Sequence, residues 1–196
     1  EAFWKEVKRI RRNEHSPTIH FCTTKFGYDL IKSNEKEFRY DLVWDKQRGV
    51  SFLSANKMPM RSHEMIYVFS KSGAYYERKD IVGDFKNTNI GDRPADNHNV
   101  YHAFKNTPKE SNEGKRCVLS IIKQIGVVKK DEHPTAKPIE LYKFLIERYC
   151  PAGGTILDPT FGSCNSGRAA EALGRSYYGI EQDKGFFDKA VDSMGF

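Results

Sequence analysis

No apolar run in this 196-residue chain approaches the ~20 residues that a membrane-spanning helix requires, so a helical membrane protein is excluded. Cysteine is scarce and scattered. Cys22, Cys117, Cys150 and Cys164 form no C-x-x-C pair, which argues against a zinc site and against a disulfide framework. No metal is expected, and a reducing cytoplasm is the simple reading. No three glycines stand at G-x-G-x-x-G spacing, which removes the dinucleotide fingerprint. His63-Glu64 has the first half of a zinc-protease motif, but the second histidine would fall at Tyr67, so that chemistry is out as well. None of the eight prolines is adjacent to another. Repeats, low-complexity tracts and a signal peptide are also missing. Glu1 is no natural start, so the true N-terminus is expected to lie upstream.

What is present is charge. Charged residues make up 30% of the chain, the formal net charge is +6 and the isoelectric point is near 9.0. That balance permits a polyanionic partner without proving one. The length fits one domain around a single core.

The stretch from Gly153 to Asp183 organises the rest. Thr155-Ile156-Leu157 suits a buried strand, and Asp158-Pro159 ends it, because proline cannot donate to a ladder. A small-residue loop from Thr160 to Gly167 leads into a helix over Arg168–Leu173, which Gly174 stops. Ser176 to Ile180 is a second strand, closed by Glu181-Gln182-Asp183. Strand, tight loop, helix, strand and acidic tip make the nucleotide half of a doubly wound sheet. Gly162 and Gly167 have P-loop spacing, but Arg168 and Ala169 follow instead of lysine and a hydroxyl, so a phosphate cradle is disfavoured. S-adenosylmethionine carries no phosphate. It asks for close backbone approach, an acid for the ribose and polar groups for the methionine end, and this loop fits it best.

Elsewhere, Glu1 to Asn13 reads as a helix with Phe3, Trp4, Val7 and Ile10 on one face. Its lysines and arginines suit an ordinary solvated face better than a DNA-facing one. Strands are expected at Thr18–Cys22, Phe38–Lys46 and Met65–Phe69, and a helix at Phe26–Ser33. Val118–Ile122 fits a strand or a short helix. Pro138 starts a helix whose Ile139, Tyr142, Leu145, Ile146 and Tyr149 line one side, and a last helix follows Asp183. From Lys79 to Lys130 periodicity fades, and ten Lys/Arg stand against six Asp/Glu.

Asp158-Pro159-Thr160-Phe161-Gly162-Ser163, Gly174-Arg175 and Gly179-Ile180-Glu181, with His133-Pro134-Thr135-Ala136-Lys137-Pro138 upstream, resemble the permuted (β-class) DNA amino-methyltransferases. Cys164 and Asn165 depart from the glycine and threonine usual there. The resemblance implies an α/β fold with a doubly wound, mostly parallel Rossmann-like sheet, circularly permuted, carrying an inserted target-recognition region. Residues 1–78 would form the catalytic half, 79–130 the recognition insertion and 131–196 the cofactor half. S-adenosylmethionine would be held by His133, Thr135, Lys137, Asp158, Thr160, Phe161, Gly162, Ser163 and Glu181. Glu181 would take the ribose hydroxyls, and Lys137 the methionine carboxylate. Trp44, Lys46, His63 and Arg93 are the candidates for the target base or DNA. For Trp44 a place in the core is the better reading than a stack on the base, and His63 and Glu64 could brace the wall. The partner implied is double-stranded DNA in a bacterial or phage setting, with a homodimer admitted and no membrane.

The family's catalytic loop, an Asp/Asn/Ser-Pro-Pro-aromatic tetrapeptide, is not in the sequence. The permuted order places it upstream of Glu1 with its own strand, within the ~30–60 residues of one or two strand–helix units. The expected reaction is methyl transfer to the exocyclic amine of a flipped base, adenine favoured over cytosine. A non-catalytic DNA-binding subunit that keeps the fold, and a methyltransferase for RNA or protein, are the alternatives.

Overall fold

The computed structural model describes residues 2–50, 52–82, 115–123, 126 and 133–194. The chain divides into two compact units. One comprises Glu1–Glu77 with Leu119–Phe196, the other Arg78–Val118. The described part of the smaller unit is an antiparallel pair, β4 (Ile81–Val82) with β5 (Lys115–Arg116).

The larger unit begins with α1 (Ala2–Ile10), β1 (Thr18–Cys22), α2 (Thr24–Ser33), β2 (Phe38–Val50) and β3 (Arg61–Phe69). With β6 (Ile121–Lys123) these strands form a four-stranded sheet in the order β1-β3-β2-β6. β3 runs antiparallel to both neighbours, and β6 joins β2 in parallel. The sheet is therefore more antiparallel than the sequence suggested. The reason is the short link between β2 and β3, which cannot make the crossover that a parallel pair requires.

Ile66 to Phe69 in β3 are all buried. A continuous apolar run is what a central strand covered on both faces needs. On one face Tyr67 and Phe69 pack with Trp4 of α1 and Leu30 of α2. Of the apolar residues expected to line α1, Phe3 and Ile10 stay exposed. On the other face Ile66 and Val68 meet Trp44, Ile122 and helix α3 (Ile139–Tyr149) through Leu141, Leu145 and Tyr149. Pro138 does cap α3.

The back of α3 holds a second layer. β7 (Thr155–Asp158) pairs in parallel with β8 (Ser176–Gly179), and α4 (Asn165–Ala172) connects them. Ile146 and Cys150 pack on Ala169 and Ala170 of α4; those small side chains let the two helices approach closely. α5 (Lys184–Met194) closes the unit, with Ala190 against Phe161 and Cys164. Among the described residues no helix is long and apolar enough to cross a membrane.

His20 of β1 lies among the rings of Phe3, Trp4 and Phe69, and its Nε2 is buried without a hydrogen-bond partner among the described residues. Burial lowers the imidazole from 6.5 to about 4. The unfolded chain therefore takes up a proton through that window before the folded one does, and stability falls as pH drops across it. The loss has an upper bound of about 3.4 kcal/mol at 1.36 kcal/mol per pKa unit. His20→Phe keeps the ring packing and removes the buried nitrogen. Urea denaturation near neutrality and in mild acid should show a smaller acid-induced loss in the variant than in the wild type.

Candidate functional site

Three loops meet at the carboxyl ends of β7 and β8, where open α/β sheets bind ligands. Asp158 ends β7 and shapes the first loop. Its Oδ1 accepts the Thr160 N–H at 3.0 Å and its Oδ2 accepts the Ser166 hydroxyl at 2.6 Å. Ser166 Oγ lies 2.9 Å from the Tyr177 hydroxyl, so one serine ties the loop, α4 and β8 together. Phe161 turns inward and is buried, and its N–H donates to the Ile180 carbonyl at 3.1 Å. A Cβ on Gly179 would come within 2.6 Å of the Phe161 ring, so a glycine must stand there.

The chain then passes through two left-handed residues, Gly162 at φ 53° and Cys164 at φ 58°. Only glycine adopts that geometry freely; Cys164 does so with its side chain buried in the loop's core. Glu181 braces the turn from the β8 side. Its Oε2 accepts the Gly162 N–H at 2.8 Å, and its Oε1 accepts the Asp183 N–H at 2.9 Å. The Asp183 and Gly162 donors hold the Glu181 carboxyl below the usual carboxylate range. Each carboxylate oxygen can accept more than one hydrogen bond, so acceptor capacity remains.

The third loop, 133–138, lies over the first. His133 stacks edge-on against Phe186 at 4.4 Å, and a Cβ on Gly162 would approach its ring to 3.2 Å. The Thr135 hydroxyl lies 3.0 Å from His133 Nδ1. Asn165, almost wholly buried, donates to the Lys137 carbonyl at 2.9 Å and accepts from Arg168 at 2.7 Å. Arg168 also donates to the Ser163 carbonyl at 2.9 Å. The sequence marked Asn165 only as a departure, yet it fastens one loop to another.

Lys137 reaches the four-stranded sheet. Its Nζ donates to the Thr135 carbonyl at 3.1 Å and lies 3.4 Å from Glu64. Glu64 also takes Lys46 at 2.8 Å. Burial alone would raise the Glu64 carboxyl, but the hydrogen bond from Lys46 and the charge of Lys137 more than offset it and leave it lowered. The ion pair's contribution is thus present above the ordinary glutamate pKa and lost as pH falls through the lower folded value. His63 stands opposite Asp45 in the β2–β3 register. Trp44 is buried in the core with Ile66 and Ile122, as its core reading requires. Arg93 lies outside the described residues. None of the residues named for the site lines the cavity bordered by Lys8, Lys32, Lys36 and Lys71 near the start of β2. Among the described residues no group of histidines, cysteines and carboxylates could hold a metal ion.

Ser166 and Tyr177 escaped the sequence reading. The available signal was a hydroxyl in the first turn of a small-residue helix. Ser166→Ala leaves a carboxylate oxygen and a phenol without their shared partner and should cost about 1–3 kcal/mol. Tyr177→Phe removes one donor and leaves Ser166 on Asp158, so about 0.5–1.5 kcal/mol is expected. Urea midpoints should follow that order; the reverse order would refute the account of Ser166 as the hub.

Comparison with known proteins gives a consistent picture. The family model described as DNA methylase matches residues 1–192. The Type II methyltransferase M.HinfI of Haemophilus influenzae is 35% identical over 97% of this chain and 49% of its own length. M.Cfr9I of Citrobacter freundii, also a Type II methyltransferase, is 27% identical over 80% of this chain and 44% of its own. The chain thus spans about half the length of the curated relatives it matches. Among solved structures, the M1.HpyAVI–SAM complex aligns with a TM-score of 0.58 at 21% identity, covering 94% of this chain and 76% of that one. The PvuII DNA methyltransferase (cytosine-N4-specific) aligns at 0.63 and 12% identity, covering 96% and 67%. These likenesses show a shared Rossmann-like α/β fold.

Proposed function

The chain belongs to the DNA methylase family, and from that premise we propose that it is part of an S-adenosylmethionine-dependent enzyme that methylates the exocyclic amine of a DNA base. The observation that carries the reading is the crossing of Glu181 over the Gly162 turn at 2.8 Å. An anchored carboxylate with spare lone pairs, beside a turn that admits close backbone approach, suits a ribose without phosphates. The cofactor, when bound, supplies an electrophilic methyl group. The protein's part is to hold it. Glu181 would accept from the ribose hydroxyls. Asp158, kept in place by Thr160 and Ser166, would face the methionine end. His133 and Thr135 would close over it with Lys137, whose ammonium has a third donor beyond Thr135 and Glu64.

On this reading the fold is circularly permuted, and residues 79–130 form the target-recognition insertion between its two halves. Arg93 and its basic neighbours would contact phosphates and base edges. Adenine is the first amine to test and cytosine the second. The base must leave the stack, at a cost of about a few kcal/mol. A cytoplasmic setting and a homodimer are part of the same reading.

Transfer of radiolabelled methyl groups to unmodified genomic DNA by the full-length protein tests the reaction. Incorporation is expected, and its absence on every DNA tried refutes the proposal. Calorimetric titration tests the site independently of turnover. Glu181→Ala should weaken cofactor binding by about 1.5–3 kcal/mol, the range for a hydrogen bond to a charged group, and Lys137→Ala should weaken it as well. Unchanged affinity in both variants would remove the assignment.

The insertion carries its own prediction. Deleting residues 87–112, which leaves β4 and β5 in place, should weaken DNA binding severely while cofactor affinity stays close to wild type. Anisotropy titrations on duplex DNA, paired with calorimetry, would separate this from an ordinary surface loop, for which both affinities survive.

A further inference from the structure

Residues 46–61, from the outer end of β2 to the first residue of β3, contain Lys46, Arg48, Lys57 and Arg61 but no acidic residue, and of these cations Lys46 pairs with Glu64. The same hairpin leaves apolar side chains in solvent: Phe52 is 77% exposed and Leu53 98%, and Met58 is exposed too. The fold could have hidden them and does not. An exposed apolar tip with a charged rim marks an interaction surface.

The hairpin is built to project. The β2–β3 register shifts between Asp45 and Val50, Gln47 lies at φ 49°, and its N–H is held by Asp45 Oδ1 at 2.9 Å. Such a bulge bends a strand out of its sheet. Beyond it Val50 pairs again with Arg61, and Met60 lies against Gly49, so the arms remain a hairpin. Its root lies at the site already described, because Lys46 pairs with Glu64 and Glu64 with Lys137. Arg61, at the root, has a buried Nη1 without a hydrogen-bond partner among the described residues.

The charge decides the occupant. The cores of protein interfaces are depleted in charge, whereas cations of one sign placed around an apolar wedge match nucleic acid. The cations neutralise phosphates, and the wedge occupies an opened base step. We propose that the β2–β3 hairpin is a second duplex-DNA contact, distinct from the 79–130 insertion, with Arg48, Lys57 and Arg61 toward phosphates and Phe52 and Leu53 toward the base stack. It rests on the DNA-methylating reading above. Its position beside Glu64 and Lys137 suits a wedge that holds the duplex open where a base has left it.

The test uses the full-length protein with a short fluorescein-labelled mixed-sequence duplex, titrated by anisotropy at several salt concentrations. Arg48→Gln with Lys57→Gln should reduce the slope of log affinity against log salt by about 1.8, which is 0.9 for each of two lost phosphate contacts. Phe52→Ser with Leu53→Ser should weaken binding about tenfold or more with the slope unchanged, as loss of a stacked base contact does. Both variants should keep the wild-type cofactor affinity in calorimetry, since the cofactor loops are elsewhere. Wild-type affinity and slope in both variants would overturn the hairpin proposal and leave the DNA reading standing. A wild-type protein that takes up cofactor but binds no duplex at any salt would overturn that reading and the hairpin proposal together. Sedimentation velocity closes the remaining route. If Phe52→Ser with Leu53→Ser converts a dimer to a monomer while DNA affinity is unchanged, the tip is a subunit contact and the proposal fails.

Discussion

Burial of α3 on both sides is the constraint on which the larger unit depends. The four-stranded sheet and the β7–β8 pair share no strand pairing among the described residues, so backbone hydrogen bonds do not join them. Leu141, Leu145 and Tyr149 pack on the sheet, while Ile146, with Ile139 and Tyr142 beside it, packs on α4 and β7. A helix apolar over so much of its surface is stable only between two layers. Leu141 is fully buried, and truncating such a leucine typically costs about 2–5 kcal/mol. The loop before α3 carries Lys137, so the packing that joins the layers also sets that lysine beside Glu64.

The candidate site is held mainly by polar side chains turned on the backbone. Asp158, Asn165 and Glu181 each accept from or donate to main-chain groups of the loops, which fixes the loops without regular structure. Backbone N–H and C=O groups must find partners somewhere, and here short polar residues supply them. The result is a pre-formed loop crossing in which little ordering would remain to be done when a ligand arrives. Glu64 adds a different link: one carboxylate shared by two lysines from separate parts of the chain. Part of the gain from that pairing is offset by desolvation, and removing the carboxylate would leave two partly buried cations without their partner.

Charge is unevenly used in this molecule. Near the candidate-site loops Lys46 and Lys137 are paired with Glu64, and Arg168 with main-chain and amide oxygens. Glu37 is likewise held by Arg11 at 3.1 Å and by Lys8, which ties the end of α1 to the start of β2. Past Lys46, the stretch from Gln47 to Arg61 holds Arg48, Lys57 and Arg61 and no acid. Unpaired cations beside exposed apolar groups do little for folding stability, which is why that segment invites a binding role.

The sequence by itself determined most of the elements and where a candidate site was to be sought. Proline at 159, glycines at 162 and 174 and the β-branched and aliphatic run Thr155–Leu157 act within a few residues, so local sterics set strand, loop and helix without reference to the rest. The acid at 181 was legible for the same reason, since its distance along the chain from the glycine turn is a property of one β-α-β unit. Tertiary structure alone decided which groups the loops would use as partners. That Glu181 braces Gly162 and that Ser166 joins Asp158 to Tyr177 require the pairing of β7 with β8, and that Asn165 holds Lys137 and Lys137 turns to Glu64 requires the packing of α3 between the layers. The antiparallel course of β3 belongs with these, because periodicity reports which face of a strand is buried but not the direction of its neighbour. Trp44 shows the limit most plainly: its residue type admits a base stack as well as the favoured core, and its packing against Ile66 and Ile122 puts it in the core.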